Sequence, residues 1–207
     1  MIFIKKIFIM KNLLLVVLSI IFLTSFDVPP VRVLYIGDSL TCAAGGWQDQ
    51  VSKHFAYQSV NLAKGGVRTD YMKQVLLTQL KKDSAFNTVF ILGGCNDAFS
   101  LVDLQGAVNN IQVMVDTCNR MGIKPVVIVG FNPAQVTTKT VYDEATTKRC
   151  VGRYIQFQKL MVNPKTGLKN CHIIPMDTTM VYKDTWDGIH FAPSGHKKFS
   201  QWVINHM

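Results

Sequence analysis

Residues 31–41 read VRVLYIGDSLT, a mostly apolar run that ends abruptly in glycine and small polar side chains. A run of this length and composition, closed by glycine, is typical of a strand buried on both faces of a sheet. We therefore predict a buried strand over residues 31–36. Ser39 then lies in the loop that follows the carboxyl end of that strand.

The same pattern recurs along the rest of the chain, with amphipathic stretches between the apolar runs. This alternation predicts an α/β fold: a three-layer α/β/α sandwich around a mainly parallel five-stranded sheet, in one domain over residues 30–207. Right-handed crossovers place the loops that follow the strands along one edge of the sheet, where ligands bind in such folds. The predicted strands are 31–36, 59–62, 88–92, 125–129 and 171–175, and the predicted helices are 46–55, 69–80, 103–121, 143–161 and 193–204.

Composition supports a folded domain and gives little sign of a polymeric partner. The chain has 207 residues, of which 48% are hydrophobic, enough for a sizeable core and too many for a disordered chain. The formal net charge is +9, and removing the three lysines among the first eleven residues leaves +6. The other basic residues are scattered, as on solvated helix faces, so no nucleic-acid partner is expected.

The first 26 residues have the composition of a targeting segment. Lysines at the start are followed by an apolar run from Leu13 to Phe26, which is short for a membrane span and typical of a secretory signal peptide. No Ala-x-Ala precedes Asp27, so an uncleaved N-terminal anchor remains the alternative. Either interpretation predicts export to the periplasm, the cell envelope or the medium.

Candidate catalytic residues occur in the predicted strand-end loops and in the last loop. Ser39 follows the first strand, Gly66 the second and Asn96 the third, while Asp187 and His190 lie three residues apart before the last helix. Taken singly, a serine there is often a helix cap, and Asn and Asp are common turn formers. Together they supply a nucleophile, a base with its orienting acid, and oxyanion donors, which are the parts that acyl transfer by serine needs.

Four blocks in order along the chain resemble the SGNH (GDSL-type) hydrolase family. They are Gly37-Asp38-Ser39-Leu40-Thr41, Asn61 with Gly66 five residues later, Gly94-Cys95-Asn96-Asp97, and Asp187-Gly188-Ile189-His190. The resemblance covers essentially the whole chain after the first 26 residues. It implies a flavodoxin-like sandwich and an esterase, lipase or carbohydrate deacetylase.

The resemblance also implies a role for each of these residues. Ser39 is expected to be the nucleophile, His190 the general base, and Asp187 the acid that orients the imidazole. The backbone N–H groups of Ser39 and Gly66 and the side chain of Asn96 are expected to form the oxyanion hole. Gly66 is preferred to its neighbour Gly65 because of its spacing from Asn61. Such a mechanism needs no metal and no organic cofactor.

Two further features of the sequence argue against other kinds of site. Thr41 stands where a Gly-x-Ser-x-Gly nucleophile elbow would have its last glycine, which argues against the α/β-hydrolase arrangement. The five cysteines have no metal-binding spacing, and Cys95 and Cys118 are expected to pack as small apolar residues. In an exported protein Cys150 and Cys171 could pair, but the sequence leaves this open.

The substrate is the least determined feature. Trp47, Arg68, residues 131–133 and Trp186 are predicted near the site, where aromatic rings could stack on sugars, line an acyl groove or simply pack. The small domain suits short acyl groups or an open site that a polymer can reach. We expect hydrolysis of a short-acyl ester or removal of O-acetyl groups from a carbohydrate. The alternatives are a lysophospholipase or thioesterase, and a non-catalytic carbohydrate-binding module. The expected partner is an ester substrate, such as an acetylated polysaccharide or a lipid. Contact with a membrane is expected only through an uncleaved N-terminal segment.

Overall fold

The centre of the fold is a sheet of five parallel strands, seen in a computed structural model that describes residues 29–137 and 142–207. The spatial order is β2-β1-β3-β4-β5, which is the order of flavodoxin-like folds. Each neighbouring pair is parallel. The strands are β1 (Arg32–Gly37), β2 (Gln58–Asn61), β3 (Thr88–Leu92), β4 (Lys124–Ile128) and β5 (His172–Ile174).

Helices cover both faces of this sheet, which completes the predicted three-layer sandwich. With right-handed crossovers, the helix between β1 and β2 lies on one face and those that lead to β3, β4 and β5 lie on the other. The final helix packs beside the first. The helices are α1 (Trp47–His54), α2 (Thr69–Lys82), α3 (Cys95–Phe99), α4 (Leu104–Arg120), α5 (Pro133–Val136), α6 (Glu144–Met161) and α7 (Pro193–Asn205), and Tyr182–Asp184 forms a 3₁₀ turn.

Burial follows position in the sheet. All five residues of the inner strand β3 are buried, whereas the edge strand β2 is largely exposed. This is why the inner strands show continuous apolar runs while β2 does not. The residues Val31–Met207 form one compact unit around this core.

The predicted α/β class is confirmed, and the predicted elements occur within a few residues of their expected ends. The helix expected from residue 103 begins at Leu104 because the Asp103 side chain accepts from the N–H groups of Gln105 and Gly106 as an N-cap. Two short helices, α3 and α5, were not predicted, since four or five residues are too few to show a helical period.

The predicted leader over residues 1–26 lies outside the described residues and stays a prediction. Within residues 29–137 and 142–207, no helix combines the length and the hydropathy that a membrane crossing requires.

The strand order reverses between β1 and β3, and this point locates the site. The chain runs from β1 outward to β2 and then back past β1 to β3. The loops that leave the carboxyl ends of β1 and β3 therefore lead in opposite directions. Open α/β sheets bind ligands in the crevice at such a switch point. Ser39 follows β1 and Asn96 follows β3, so the topology alone brings these two loops to the crevice.

Candidate active site

Ser39 lies in a tight turn at the end of β1. The carbonyl of Asp38 accepts from Thr41 N–H at 3.0 Å, and Asp38 Oδ1 accepts from Leu40 N–H at 3.0 Å. The indole N–H of Trp47 donates to the Leu40 carbonyl at 2.9 Å, which ties the turn to α1. These bonds hold the turn closed, while the Ser39 side chain remains partly open to solvent.

Asp38 is fully buried beneath this turn, and its second carboxylate oxygen, Oδ2, has no hydrogen-bond partner among the described residues. Burial raises the pKa of the Asp38 carboxyl to about 7; the Leu40 N–H opposes this rise, Asp97 adds to it, and His190 opposes it. The sequence assigned no role to Asp38, because nothing local distinguishes a buried carboxyl from one that caps a turn.

The Asp38 carboxyl should therefore give the fold a pH-dependent stability. Its folded-state pKa of about 7 exceeds the ordinary value of 3.8, so between pH 4 and 7 the folded protein holds a proton that the unfolded chain has released. The contribution of Asp38 to stability is therefore greatest at about pH 4 and below, and it falls as the pH rises towards 7. We expect the difference in unfolding free energy between Asp38→Asn and wild type to grow by on the order of 4 kcal/mol between pH 4 and 8.

Urea unfolding of both proteins at several pH values measures this difference, and the other titrating groups largely cancel in the comparison. A difference that stays constant across the range would mean that the carboxyl does not titrate in a buried environment.

A hydrogen-bonded chain joins Asp187, His190 and Ser39. Asp187 Oδ2 lies 2.7 Å from His190 Nδ1, and His190 Nε2 lies 3.1 Å from Ser39 Oγ. With Nδ1–H donating to the carboxylate, Nε2 is left as an acceptor for the serine hydroxyl. The structure thus brings together the three side chains predicted to act on one another, across a separation of 151 residues between Ser39 and His190.

The other oxygen of Asp187 organises its own loop. Oδ1 accepts from the backbone N–H of His190 at 2.8 Å and of Ile189 at 3.0 Å. Partial burial raises the pKa of Asp187, but the bonds from the His190 backbone and ring and from Ile189 outweigh it, so the net pKa is lowered. The carboxylate is therefore charged near neutral pH, as a group that stabilises an imidazolium must be.

Neighbouring backbone groups support the same loop. Trp186 N–H donates to the His190 carbonyl at 2.9 Å, and Thr185 pairs with Phe191 in an antiparallel bridge. Gly188 N–H donates to Thr185 Oγ1, and its carbonyl accepts from Thr137 Oγ1 at 2.7 Å. The acid and the base therefore occupy one turn, and the hydrogen bonds that hold this turn do not involve the distant serine.

Gly66 and Ser39 present unused backbone donors. In the part of the chain that the structure describes, neither the N–H of Ser39 nor that of Gly66 donates to a protein acceptor. Gly66 has φ +74°, a left-handed conformation that favours glycine, and a side chain added there would meet nothing within 4 Å. A Cβ added to Gly65 would lie 3.9 Å from Ser39 Cβ, so Gly65, the residue before Gly66, borders the serine.

Asn96 is held against the turn that contains Gly66. Its Nδ2 donates one hydrogen to the Val67 carbonyl at 2.9 Å, which fixes the amide and leaves the second hydrogen available. Gly94, immediately before α3, has φ +98° and faces the Phe157 ring at a distance that excludes a Cβ. Only glycine therefore allows the backbone to enter α3 and present Asn96 at this place.

Asp97 and Asn61 have structural roles. Both oxygens of Asp97 accept from Thr69, one from its backbone N–H at 3.0 Å and one from its hydroxyl at 2.7 Å, so Asp97 fastens α3 to the start of α2. Asn61 Nδ2 donates to the Thr41 carbonyl at 2.9 Å, which links the end of β2 to the nucleophile turn. Asp97 thus holds its loop in place.

The aromatic residues predicted near the site separate into two kinds. Trp47 and Phe131 are buried and pack in the core, Trp47 edge-on against Tyr35 and Phe199. Trp186, by contrast, is 71% exposed beside Asp187. Arg68 is half-buried and pairs with Asp70 at 3.1 Å. Of these aromatic rings, Trp186 is therefore the one open to a ligand.

The cysteines are all free thiols in the structure, including Cys150 and Cys171, so the suggested disulfide does not occur here. Burial raises the pKa of the Cys95 thiol well above its ordinary value, with nearby carboxylates, Asp38 among them, adding to the effect. A protonated, buried thiol is a packing residue and a poor nucleophile. Among the described residues, no three His, Cys, Asp or Glu side chains are grouped so as to hold a metal ion.

One family model covers most of the chain. The family model for GDSL-like lipases and acylhydrolases matches residues 35–198, a span that contains all the candidate site residues. The chain belongs to the GDSL-like lipase/acylhydrolase family. The predicted family is thereby confirmed, whereas a search of curated proteins found no significant match.

Several solved structures share the fold of this chain. A protein from Desulfitobacterium hafniense DCB-2 assigned to the G-D-S-L lipolytic family is 16% identical, with a TM-score of 0.62 over 86% of this chain and 99% of that one. The esterase EstA from Pseudoalteromonas sp. is 15% identical, with a TM-score of 0.59 over 84% and 95%. The acetylxylan esterase Axe2 from Geobacillus stearothermophilus is 14% identical, with a TM-score of 0.59 over 85% and 93%.

Proposed function

We propose that this GDSL-family chain hydrolyses carboxylic esters with Ser39 as nucleophile, His190 as general base and Asp187 as orienting acid. The observation that carries the proposal is the chain of hydrogen bonds from Asp187 Oδ2 through the imidazole to Ser39 Oγ. A serine hydroxyl is a weak nucleophile near neutral pH, and an adjacent base is the usual means of activating it.

The reaction then runs in two halves. Ser39 Oγ attacks the ester carbonyl while His190 Nε2 takes its proton, and Asp187 stabilises the imidazolium that forms without taking the proton itself. His190 next gives the proton to the departing alcohol, which leaves an acyl group on Ser39. Water, deprotonated by the same imidazole, attacks the acyl-enzyme and frees the acid and the serine.

Charge that develops on the carbonyl oxygen needs donors already in place. The unused N–H groups of Ser39 and Gly66 and the remaining Nδ2 hydrogen of Asn96 supply three candidates on neighbouring loops. Preorganised donors of this kind lower the barrier because they need not reorient as the charge appears.

Asn96→Ala is expected to lower kcat by about 100- to 1,000-fold with little change in KM, since one oxyanion donor acts mainly in the transition state. Steady-state kinetics on a short ester measure this effect. Asn109→Ala, which removes another amide from helix α4, is the matched control and should retain wild-type rates. An Asn96→Ala variant with near-normal kcat and an unchanged melting temperature would show that Asn96 is not part of the oxyanion hole.

We further propose that the substrates are short-acyl esters, and in particular O-acetyl groups on a carbohydrate. Two of the similar structures are described as acetylxylan esterases, which supports this class without assigning it. Purified protein should be assayed on acetyl, butyryl and longer-chain esters and on acetylated oligosaccharides. Preference for long acyl chains or thioesters would favour a lysophospholipase or thioesterase instead, and a lack of any hydrolysis would favour a binding module.

Export is the accompanying proposal, and it rests on the composition of residues 1–26. N-terminal sequencing of the protein recovered from envelope and secreted fractions tests it. A soluble cytosolic protein that retains Met1 or Met10 would overturn it.

A further inference from the structure

Trp186 is the most exposed of the large hydrophobic side chains in the described part of the chain, at 71%. The two other tryptophans each use their indole N–H on a backbone carbonyl, Trp47 on Leu40 and Trp202 on Pro175. Among residues 29–137 and 142–207, Trp186 has no such bond, and no other ring packs against it. Core packing therefore does not account for a tryptophan at this position.

Its place is set by the turn that holds the base. Thr185 and Phe191 form an antiparallel bridge, and this register makes Trp186 and His190 the next directly opposed pair. The bond from Trp186 N–H to the His190 carbonyl, 2.9 Å, belongs to the same pairing. The backbone of Trp186 is thus bonded to that of His190, which places the tryptophan beside the base in the same turn.

The chemistry assigns the side of the site next to His190 to one part of the substrate. His190 must protonate the departing alcohol, so the alcohol part of the ester has to lie next to the imidazole. In the proposed oxyanion hole the carbonyl oxygen is bound by Ser39, Gly66 and Asn96, on the loops after β1, β2 and β3, and not by a group of this turn. A group beside His190 therefore contacts the alcohol part of the substrate rather than the carbonyl oxygen.

We propose that Trp186 is a specificity-determining residue that stacks on a sugar ring in the alcohol part of the substrate; this inference rests on the proposed esterase function. An indole offers a large, rigid, flat surface with a polar edge, which suits a pyranose or furanose face that is apolar in its centre and hydroxylated at its rim. A long acyl chain is instead bound in an enclosed apolar pocket, and Trp186 is open to solvent.

The test compares a ring-free ester with ring-bearing ones. Ethyl acetate, followed by pH-stat, has no ring to stack, whereas p-nitrophenyl esters carry an aromatic ring and are unsuitable here. The second set is a panel of acetylated xylo-oligosaccharides, acetylated glucomannan oligosaccharides and cellobiose octaacetate. The variants are Trp186→Ala, Trp186→Phe and the control Tyr182→Ala, which removes another exposed aromatic ring from the preceding 3₁₀ turn.

Trp186→Ala should lower kcat/KM on the best glycan by about tenfold or more, chiefly through KM, and leave the rate on ethyl acetate within about twofold. The kcat/KM of Trp186→Phe on the glycan should lie between the values for wild type and Trp186→Ala. Tyr182→Ala should have the wild-type value. Equal losses on both substrate types would mean that Trp186 only supports the loop. No loss on either, or a wild-type enzyme that cleaves ethyl acetate but none of the glycans, would overturn the stacking role. Failure of the esterase function itself would appear separately, as a wild-type protein inactive on every ester.

Discussion

Ser39→Ala is expected to lower kcat for ester hydrolysis by about 10⁵- to 10⁶-fold, since removal of a serine nucleophile abolishes the acyl-enzyme route. Some rate above that in water should persist, because the oxyanion donors and substrate binding do not depend on the hydroxyl. Kinetics on a short acetyl ester, measured with protein free of wild-type contamination, give the value.

The fold should be unaffected by this change. Within the described part of the chain, the Ser39 hydroxyl has one hydrogen bond, to His190. The turn around it is held by Asp38, Leu40 and Trp47 through other atoms. The melting temperature should therefore match wild type. Ser100→Ala, at an exposed serine after α3, is the control and should keep full activity. Retention of most of the activity by Ser39→Ala would show that Ser39 is not the nucleophile.

Asp187→Asn should have the second largest effect, a fall in kcat of about 10⁴-fold. The reason lies in the two different tasks of the carboxylate oxygens. Oδ1 accepts from two backbone N–H groups, so in asparagine this position must be taken by the carbonyl oxygen. The amide NH₂ then faces His190 Nδ1, which must become an acceptor, and the ring proton moves to Nε2. Nε2 would then point a hydrogen at Ser39 and could no longer take its proton.

Because the loop keeps its backbone bonds in Asp187→Asn, binding should survive while catalysis fails. We expect KM to stay within a few-fold of wild type and the melting temperature to change little. Asp83→Asn, which removes a carboxylate from an ion pair with Arg32 away from the site, is the control. Wild-type kcat in Asp187→Asn would show that His190 does not need Asp187 for its tautomer.

The local part of the site could be predicted because its determinants are local. Asp187 and His190 are three residues apart, and the bonds between them close within one turn, so residue type and spacing were enough to propose an acid–base pair. Likewise, the apolar run before Gly37 specified a buried strand, and the polar residues after it specified a loop. Residue order alone therefore located the candidate side chains at strand ends.

The burial of individual residues near the site was not predictable from residue type. Trp47 and Trp186 were both expected near the site, yet Trp47 is buried between Tyr35 and Phe199 while Trp186 is exposed. Asp38 was included in a sequence motif but was assigned no role. In the structure, burial under the turn raises the pKa of its carboxyl to about 7. Exposure depends on which distant elements cover a residue, and no local pattern records this.

What the sequence determined by itself is the order of strands and helices, the family and the identity of the candidate groups. These follow from hydrophobic period and from motif spacing, both of which are properties of neighbouring residues. What only the tertiary structure decided is the meeting of Ser39 with His190 and of Asn96 with Val67, and the exposure of Trp186. These depend on the reversal of strand order between β1 and β3 and on the return of the last loop to the same edge of the sheet. The physical reason is that parallel pairing brings together strand ends that are far apart along the chain.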